Sequence, residues 1–236
     1  MIRVEGVHHS YDDHPVLHGI DLTLTESRVG IIGANGSGKS TLARMLNGLV
    51  IPERGRVLVD GLDTRKHGHR IRQRVGFVFP DADTQIIMPT VAEDVAIGLS
   101  GRGLSKADVA RRTTDILARY GLAAHHDRPA HLLSGGQKQM LALAAVLVTE
   151  PEILICDEPT TLLDLRNVTL VVETLKALPQ QVILLTHHLD ILHDFDRVLV
   201  IDEGRLAFDG APSEAVDHYR ALVSAGGTAP GRNTPR

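Results

Sequence analysis

Hydrophobic and polar residues alternate over residues 2–7 and 21–24, the period-two pattern of half-buried antiparallel strands. Residues 29–32 are instead a short run rich in β-branched side chains that stops at Gly33, which predicts a buried strand entering a tight turn. Apolar side chains then recur at helical spacing over residues 41–49, a segment closed by Gly48 and Pro52. Two further strands are predicted over residues 56–59 and 75–79, and from 91 to 121 the spacing becomes helical, with Gly and Arg punctuation around 100–103. An almost wholly apolar helix is predicted over 141–148, just after Ser134-Gly135-Gly136. Residues 153–156 and 182–185 are apolar on both faces, as buried parallel strands are, and helical periodicity over 165–178 joins them into a strand–helix–strand unit. Residues 198–201 and 205–208 flank Asp202-Glu203-Gly204, a hairpin with its turn signal. Residues 224–236 hold Gly, Pro, Thr and Ser with no apolar face and are expected to be a disordered tail. There is no internal repeat.

Composition narrows the class. With 236 residues, 43% of them hydrophobic, the chain can bury a core as one large domain or two small ones. Aromatics are 3% with no Trp and the net charge is -4, so neither a base-stacking platform nor a basic footprint for nucleic acid is present. The single cysteine, Cys156, excludes a disulfide framework and, inside an apolar strand, reads as a small buried hydrophobe. The longest apolar run, Met140 to Val148, is far short of the roughly 20 residues that span a bilayer, and the N-terminus lacks the pattern of a signal peptide. A soluble, cytoplasmic protein is expected, reaching any membrane through partners. The thirteen histidines, including His8-His9, His67-x-His69 and His125-His126, lack the spacing of a closed metal site and read as surface groups.

Three segments carry chemistry. Gly33-Ala34-Asn35-Gly36-Ser37-Gly38-Lys39-Ser40 fits G-x-x-x-x-G-K-[ST] between a predicted strand and a predicted helix. Its glycines let backbone N–H groups curl around an anion, and the helix that follows points its positive end at the same phosphates. Lys39 reaches the β- and γ-phosphates and the Ser40 hydroxyl can ligate Mg²⁺, so a nucleoside triphosphate is the expected ligand. The strand 153–156 ends at Asp157-Glu158. Asp157 there would hold Mg²⁺ beside Ser40, and Glu158 would polarise an attacking water. Leu133-Ser134-Gly135-Gly136-Gln137 precedes the apolar helix and repeats the logic of small residues at a helix N-terminus, although alone it would read as a linker turn.

Together, and in this order, these segments resemble the ATP-binding cassette (ABC) family, whose signature is the LSGGQ of residues 133–137; the likeness covers residues 2 to about 223. The resemblance implies an α/β fold: a P-loop NTPase core with a mostly parallel sheet, an N-terminal antiparallel β-subdomain, and an α-helical signature subdomain over about 85–150 within one domain of residues 1–223. It implies that ATP is bound by Tyr11, which stacks on adenine, and by Asn35, Gly36, Ser37, Gly38, Lys39, Ser40 and Thr41. Glu158 and His187 would be catalytic, the latter at the γ-phosphate, with Ser40 and Asp157 as metal ligands. Two copies would sandwich each ATP, with Ser134, Gly135, Gly136 and Gln137 acting on the partner's nucleotide and Asp164 communicating across the dimer.

Residues 76–86 and 88–96 are similar to the energy-coupling (ECF-type) importer ATPases. That likeness implies a transmembrane scaffold and a membrane substrate-binding subunit as partners, a place on the cytoplasmic face of the membrane, and uptake of a vitamin, biotin first. The alternatives are cobalt or nickel uptake with the same chemistry, or a soluble non-transport ABC ATPase. One position departs from the family: Pro80 stands where relatives carry a Gln that ligates Mg²⁺ and senses the coupling interface, and Pro offers no side-chain donor or acceptor. Gln85, five residues on, is the expected substitute at the coupling interface.

Overall fold

The computed structural model describes residues 1–226. Its elements are β1 (Ile2–Tyr11), β2 (His14–Leu24), β3 (Arg28–Ile32), α1 (Lys39–Leu46), β4 (Arg54–Val59), β5 (Leu62–Asp63), α2 (Thr64–Arg72), β6 (Val75–Val78), α3 (Ala82–Gln85), α4 (Val91–Ile97), α5 (Lys106–Arg119), α6 (Gly135–Leu147), β7 (Ile153–Asp157), α7 (Leu165–Lys176), β8 (Gln181–Leu185), β9 (Arg197–Asp202), β10 (Arg205–Gly210) and α8 (Pro212–Gly226).

Two sheets organise them. One has the order β2-β1-β4-β5 and is antiparallel; the other has the order β10-β9-β3-β8-β7-β6. Strands β9, β3, β8, β7 and β6 run parallel, and β10 adds an antiparallel edge through the expected 202–204 turn. This is the α/β core with a mostly parallel sheet and an antiparallel N-terminal sheet that the resemblance implied.

The parallel strands are apolar on both faces because both are covered. Val182 and Leu184 of β8, with Leu154 and Cys156 of β7, pack into a core shared with α4, α5, α6 and α7. Ile183, Leu185, Ile153 and Ile155 face the opposite way, into a core closed by α1 and the antiparallel sheet. Cys156 is fully buried, and burial pushes its thiol far up, so it is the inert hydrophobe expected.

The element boundaries depart from the sequence reading in instructive places. The helix predicted over 41–49 begins at Lys39 and ends at Leu46, leaving Leu49 exposed. The 91–121 stretch divides into α4 and α5, each with its own cap from Thr90 and Ser105. Helices α2, α3 and α8 were not foreseen: α2 buries only Thr64 and Ile71 of its nine residues, so its sequence has no apolar stripe to see. Ser224 to Gly226 belong to α8 rather than to a tail, because the helix begun at Pro212 carries through them; the remainder of the expected tail, residues 227–236, lies outside the described residues.

Candidate active site

The C-terminal ends of four parallel strands deliver the site, the usual place for a ligand in an open α/β sheet. Strand β3 ends into Gly33 and the loop to α1, β7 ends at Asp157, β8 leads to Thr186 and His187, and β6 leads to Phe79 and Pro80. Because β3 lies beside β8 and β8 beside β7, their ends converge.

The loop from Gly33 to Ser40 is held in an open curl. Gly33 has φ +151°, and a Cβ there would overlap the carbonyl oxygen of Ile201, so only glycine fits. The turn between β9 and β10 braces the loop, with Gly204 N–H donating to the Ser37 carbonyl at 3.0 Å. Among α1 to α7, only α1 lacks a side-chain cap. Helices α2 to α7 are capped by Asp63, Asp81, Thr90, Ser105, Ser134 and Asp164, whereas α1 starts at Gly38 with none and has no acid in its first turn. Its orphan N–H groups are therefore left for an external anion. The Ser37 hydroxyl is buried without a partner beside them. Asn35 and Gly36 are exposed and Thr41 is buried in the first turn of α1.

Lys39 is buried and folds back, donating to the carbonyls of Gly33 at 2.7 Å and Ala34 at 2.8 Å. Burial lowers its pKa, and the nearby Glu158 and Asp157 oppose that shift. Ser40 Oγ donates to Asp157 Oδ1 at 2.9 Å, while Asp157 Oδ2 is buried with no partner at all. Burial pushes the Asp157 carboxyl up. A buried carboxylate with one orphaned oxygen beside a hydroxyl is a donor set that suits a hard divalent cation such as Mg²⁺. Glu158 follows with φ +50°, a costly conformation for a non-glycine residue, and its Oε2 lies 2.7 Å from His187 Nδ1. Thr161 Oγ1 donates to the same carboxylate oxygen at 3.3 Å.

Other candidate residues lie apart from this cluster or differ from expectation. Tyr11 ends β1, 44% exposed, with the ring of His9 edge-on at 4.7 Å. His9 is not the surface group expected of the histidines, since both its ring nitrogens are buried and without hydrogen bonds. Ser134 and Gln137 form a reciprocal capping box at the start of α6, and Gln137 Nε2 meets His125 Nε2 at 2.9 Å. Gly135 and Gly136 fill the first turn of that helix, and Asp164 caps α7 beside it. Among the described residues no hydrogen bond ties these groups to the loop from Gly33 to Thr41.

The Gln85 side chain, expected at the coupling interface, has its amide bonded within the chain. Its Oε1 accepts from Phe79 N–H at 2.9 Å and its Nε2 donates to the Ala142 carbonyl at 3.3 Å, so its amide shapes the segment after Pro80. Ile87, 69% exposed, is what this segment presents outward. Two more tethers escaped the sequence reading: Lys138 pairs with Asp83 at 2.6 Å, and the buried Asp94 accepts from the N–H groups of Ile87 and Met88.

Comparison with known proteins gives one answer. The sequence profile of the ABC transporter family matches residues 17–161. A protein of Deinococcus radiodurans named only as an ABC transporter ATP-binding protein is 52% identical, over 95% of this chain and 99% of its own length. The biotin transport ATP-binding protein BioM of Rhizobium etli is 46% identical over 94% of this chain and 99% of that one. The energy-coupling factor transporter ATP-binding protein EcfA1 of Symbiobacterium thermophilum is 42% identical over 94% and 84%. Among solved structures, CbiO1 of Clostridium perfringens, described as part of the ABC transporter complex CbiONQ, superposes with a TM-score of 0.80 at 36% identity, covering 97% of this chain and 95% of that one. The ATP-binding cassette MJ0796, a dimer with ADP and phosphate, gives 0.79 at 25% identity, over 90% and 99%. With the profile spanning more than half of it and relatives matching over nearly their full length, the chain belongs to the ABC transporter family as an ATP-hydrolysing subunit, akin to the energy-coupling factor ATPases.

Proposed function

We propose that this ABC ATPase drives uptake of biotin, working as a pair of copies on the cytoplasmic face of the membrane with a transmembrane scaffold and a membrane substrate-binding subunit. Among the described residues no helix is long and apolar enough to cross a membrane, so translocation falls to those partners. The observation that carries the chemistry is the convergence of the uncapped α1, Lys39, the Ser40–Asp157 pair and the Glu158–His187 pair at the C-terminal ends of β3, β7 and β8.

ATP phosphates would take the N–H groups at the start of α1 and the Ser37 hydroxyl. Lys39 would exchange two carbonyl contacts for charge-assisted bonds to the β- and γ-phosphates. Ser40 and Asp157 would hold Mg²⁺, which neutralises charge on those phosphates when bound. Glu158, fixed by His187, would orient water and accept its proton, and His187 would contact the γ-phosphate. Tyr11 would stack on adenine. Ser134, Gly135, Gly136 and Gln137 would complete the partner's site, and Asp164 would lie at the junction between copies, an arrangement supported by the dimeric relative with ADP and phosphate.

Biotin rests on the BioM relative, 46% identical over nearly all of both chains. The test is uptake of labelled biotin, cobalt and nickel in a strain deleted for this protein, complemented with wild type or with Lys39→Ala. Biotin uptake restored only by the wild type supports the reading. Restoration of metal uptake with biotin unaffected overturns it.

A further inference from the structure

Gly136 and Asn167 meet where the N-termini of α6 and α7 come together. Gly136 is buried in the first turn of α6, and a Cβ built on it would overlap Oδ1 and Cγ of Asn167 and lie 2.8 Å from Nδ2. The amide of Asn167 thus fills the space that any side chain at position 136 would need. Asn167 is held from its other side as well. Its backbone N–H donates to Asp164 Oδ1 at 2.9 Å, the cap of α7, and its side-chain Nδ2 donates to the same oxygen at 3.0 Å. A helix cap needs only the first of these bonds. The second fixes the amide in place against Gly136. One side chain therefore joins the start of α6 to the loop before α7 and its first turn, where Leu162 is 74% and Leu165 82% exposed.

We propose that Asn167 is a positioning residue that locks the loop carrying Asp164 to the helix terminus of residues 134–137, so that the two move as one body. Its consequence rests on the two-copy reading above. The surface that meets the partner's phosphates and the loop that reaches across the junction are then presented together, and loss of the lock impairs closure of the pair rather than capture of ATP.

Asn167→Ala and Asn167→Asp test this in the full chain. Aspartate keeps the side-chain shape in the first turn of α7. It replaces the donor to Asp164 with an acceptor, so the lock fails. Amide hydrogen exchange without nucleotide should quicken roughly tenfold over residues 134–138 and 162–167 in both variants, as for a lost local contact. Unchanged exchange, or a normal Asn167→Asp, overturns the proposal. Gly136→Ala should disturb exchange most on its own, and adding Asn167→Ala should relieve it; purely additive damage shows that the glycine does not accommodate Asn167.

In the Glu158→Gln background, both Asn167 variants should bind ATP within about twofold of the parent while ATP-driven dimerisation weakens roughly tenfold, the pattern of a coupled rather than a binding residue. A parent that never dimerises with ATP overturns the two-copy reading, and the exchange data still decide the lock.

Discussion

At the residue scale, the proposed function divides the site into groups that would hold ATP and groups that would act on it, and substitution should separate them. Glu158→Gln keeps a hydrogen-bonding oxygen near His187 and removes one negative charge from the phosphate surroundings. Hydrolysis should fall roughly 10²–10⁴-fold with ATP binding intact, the usual contribution of a positioned base. Lys39→Ala should lose ATP binding itself, since it deletes a charge-assisted contact. Phosphate release beside equilibrium nucleotide binding separates the two, and a Glu158→Gln protein hydrolysing at the normal rate would move the base elsewhere. Pro80 gives a second test. It follows β6 and its own side chain carries no oxygen, so Pro80→Gln should shift the Mg²⁺ dependence of hydrolysis more than ATP affinity. An identical Mg²⁺ titration would show that position 80 does not reach the metal.

At the scale of elements, Arg28 of β3 fastens α7 to the sheet. Its guanidinium donates to the carbonyls of Ser27, Gln180, Lys176 and Leu178, supplying cationic donors where α7 leaves carbonyls unpaired. Arg28→Ala should cost about 2 kcal/mol and lower the melting midpoint by about 4–8 °C; a midpoint unmoved in thermal unfolding would show that water replaces those donors fully. Such contacts also explain what the sequence reveals. The buried strands and the phosphate loop are legible because their patterns are local: β-branched runs apolar on both faces, and glycines set against Lys39 and Ser40. The polar helix α2 has no stripe to read. Gln85 reads as an interface group from its place five residues beyond Pro80, while its bond to the Ala142 carbonyl, distant in the chain, leaves no local mark. The Asn167–Gly136 contact is invisible for the same reason, since neither residue's neighbours announce the other.

At the scale of the whole molecule, the segment from Gln85 to Asp94 is the proposed place of contact with a membrane scaffold. Inward bonds through Gln85 and Asp94 stiffen it while the Ile87 side chain stands exposed. A photo-crosslinker at position 87 in native membranes should capture an integral membrane protein; capture of soluble proteins alone would count against a membrane scaffold docking there.

The brace on the phosphate loop also has a consequence for synthesis. Gly33 and Ser37 are made more than 160 residues before Ile201, whose carbonyl packs against Gly33, and Gly204, whose N–H holds the Ser37 carbonyl. Strand β3 likewise sits between β8 and β9, both late in the chain. A chain cut before residue 200 therefore carries the phosphate motif without the Gly204 brace on Ser37, and it should bind ATP more weakly than the chain that includes the 202–204 turn.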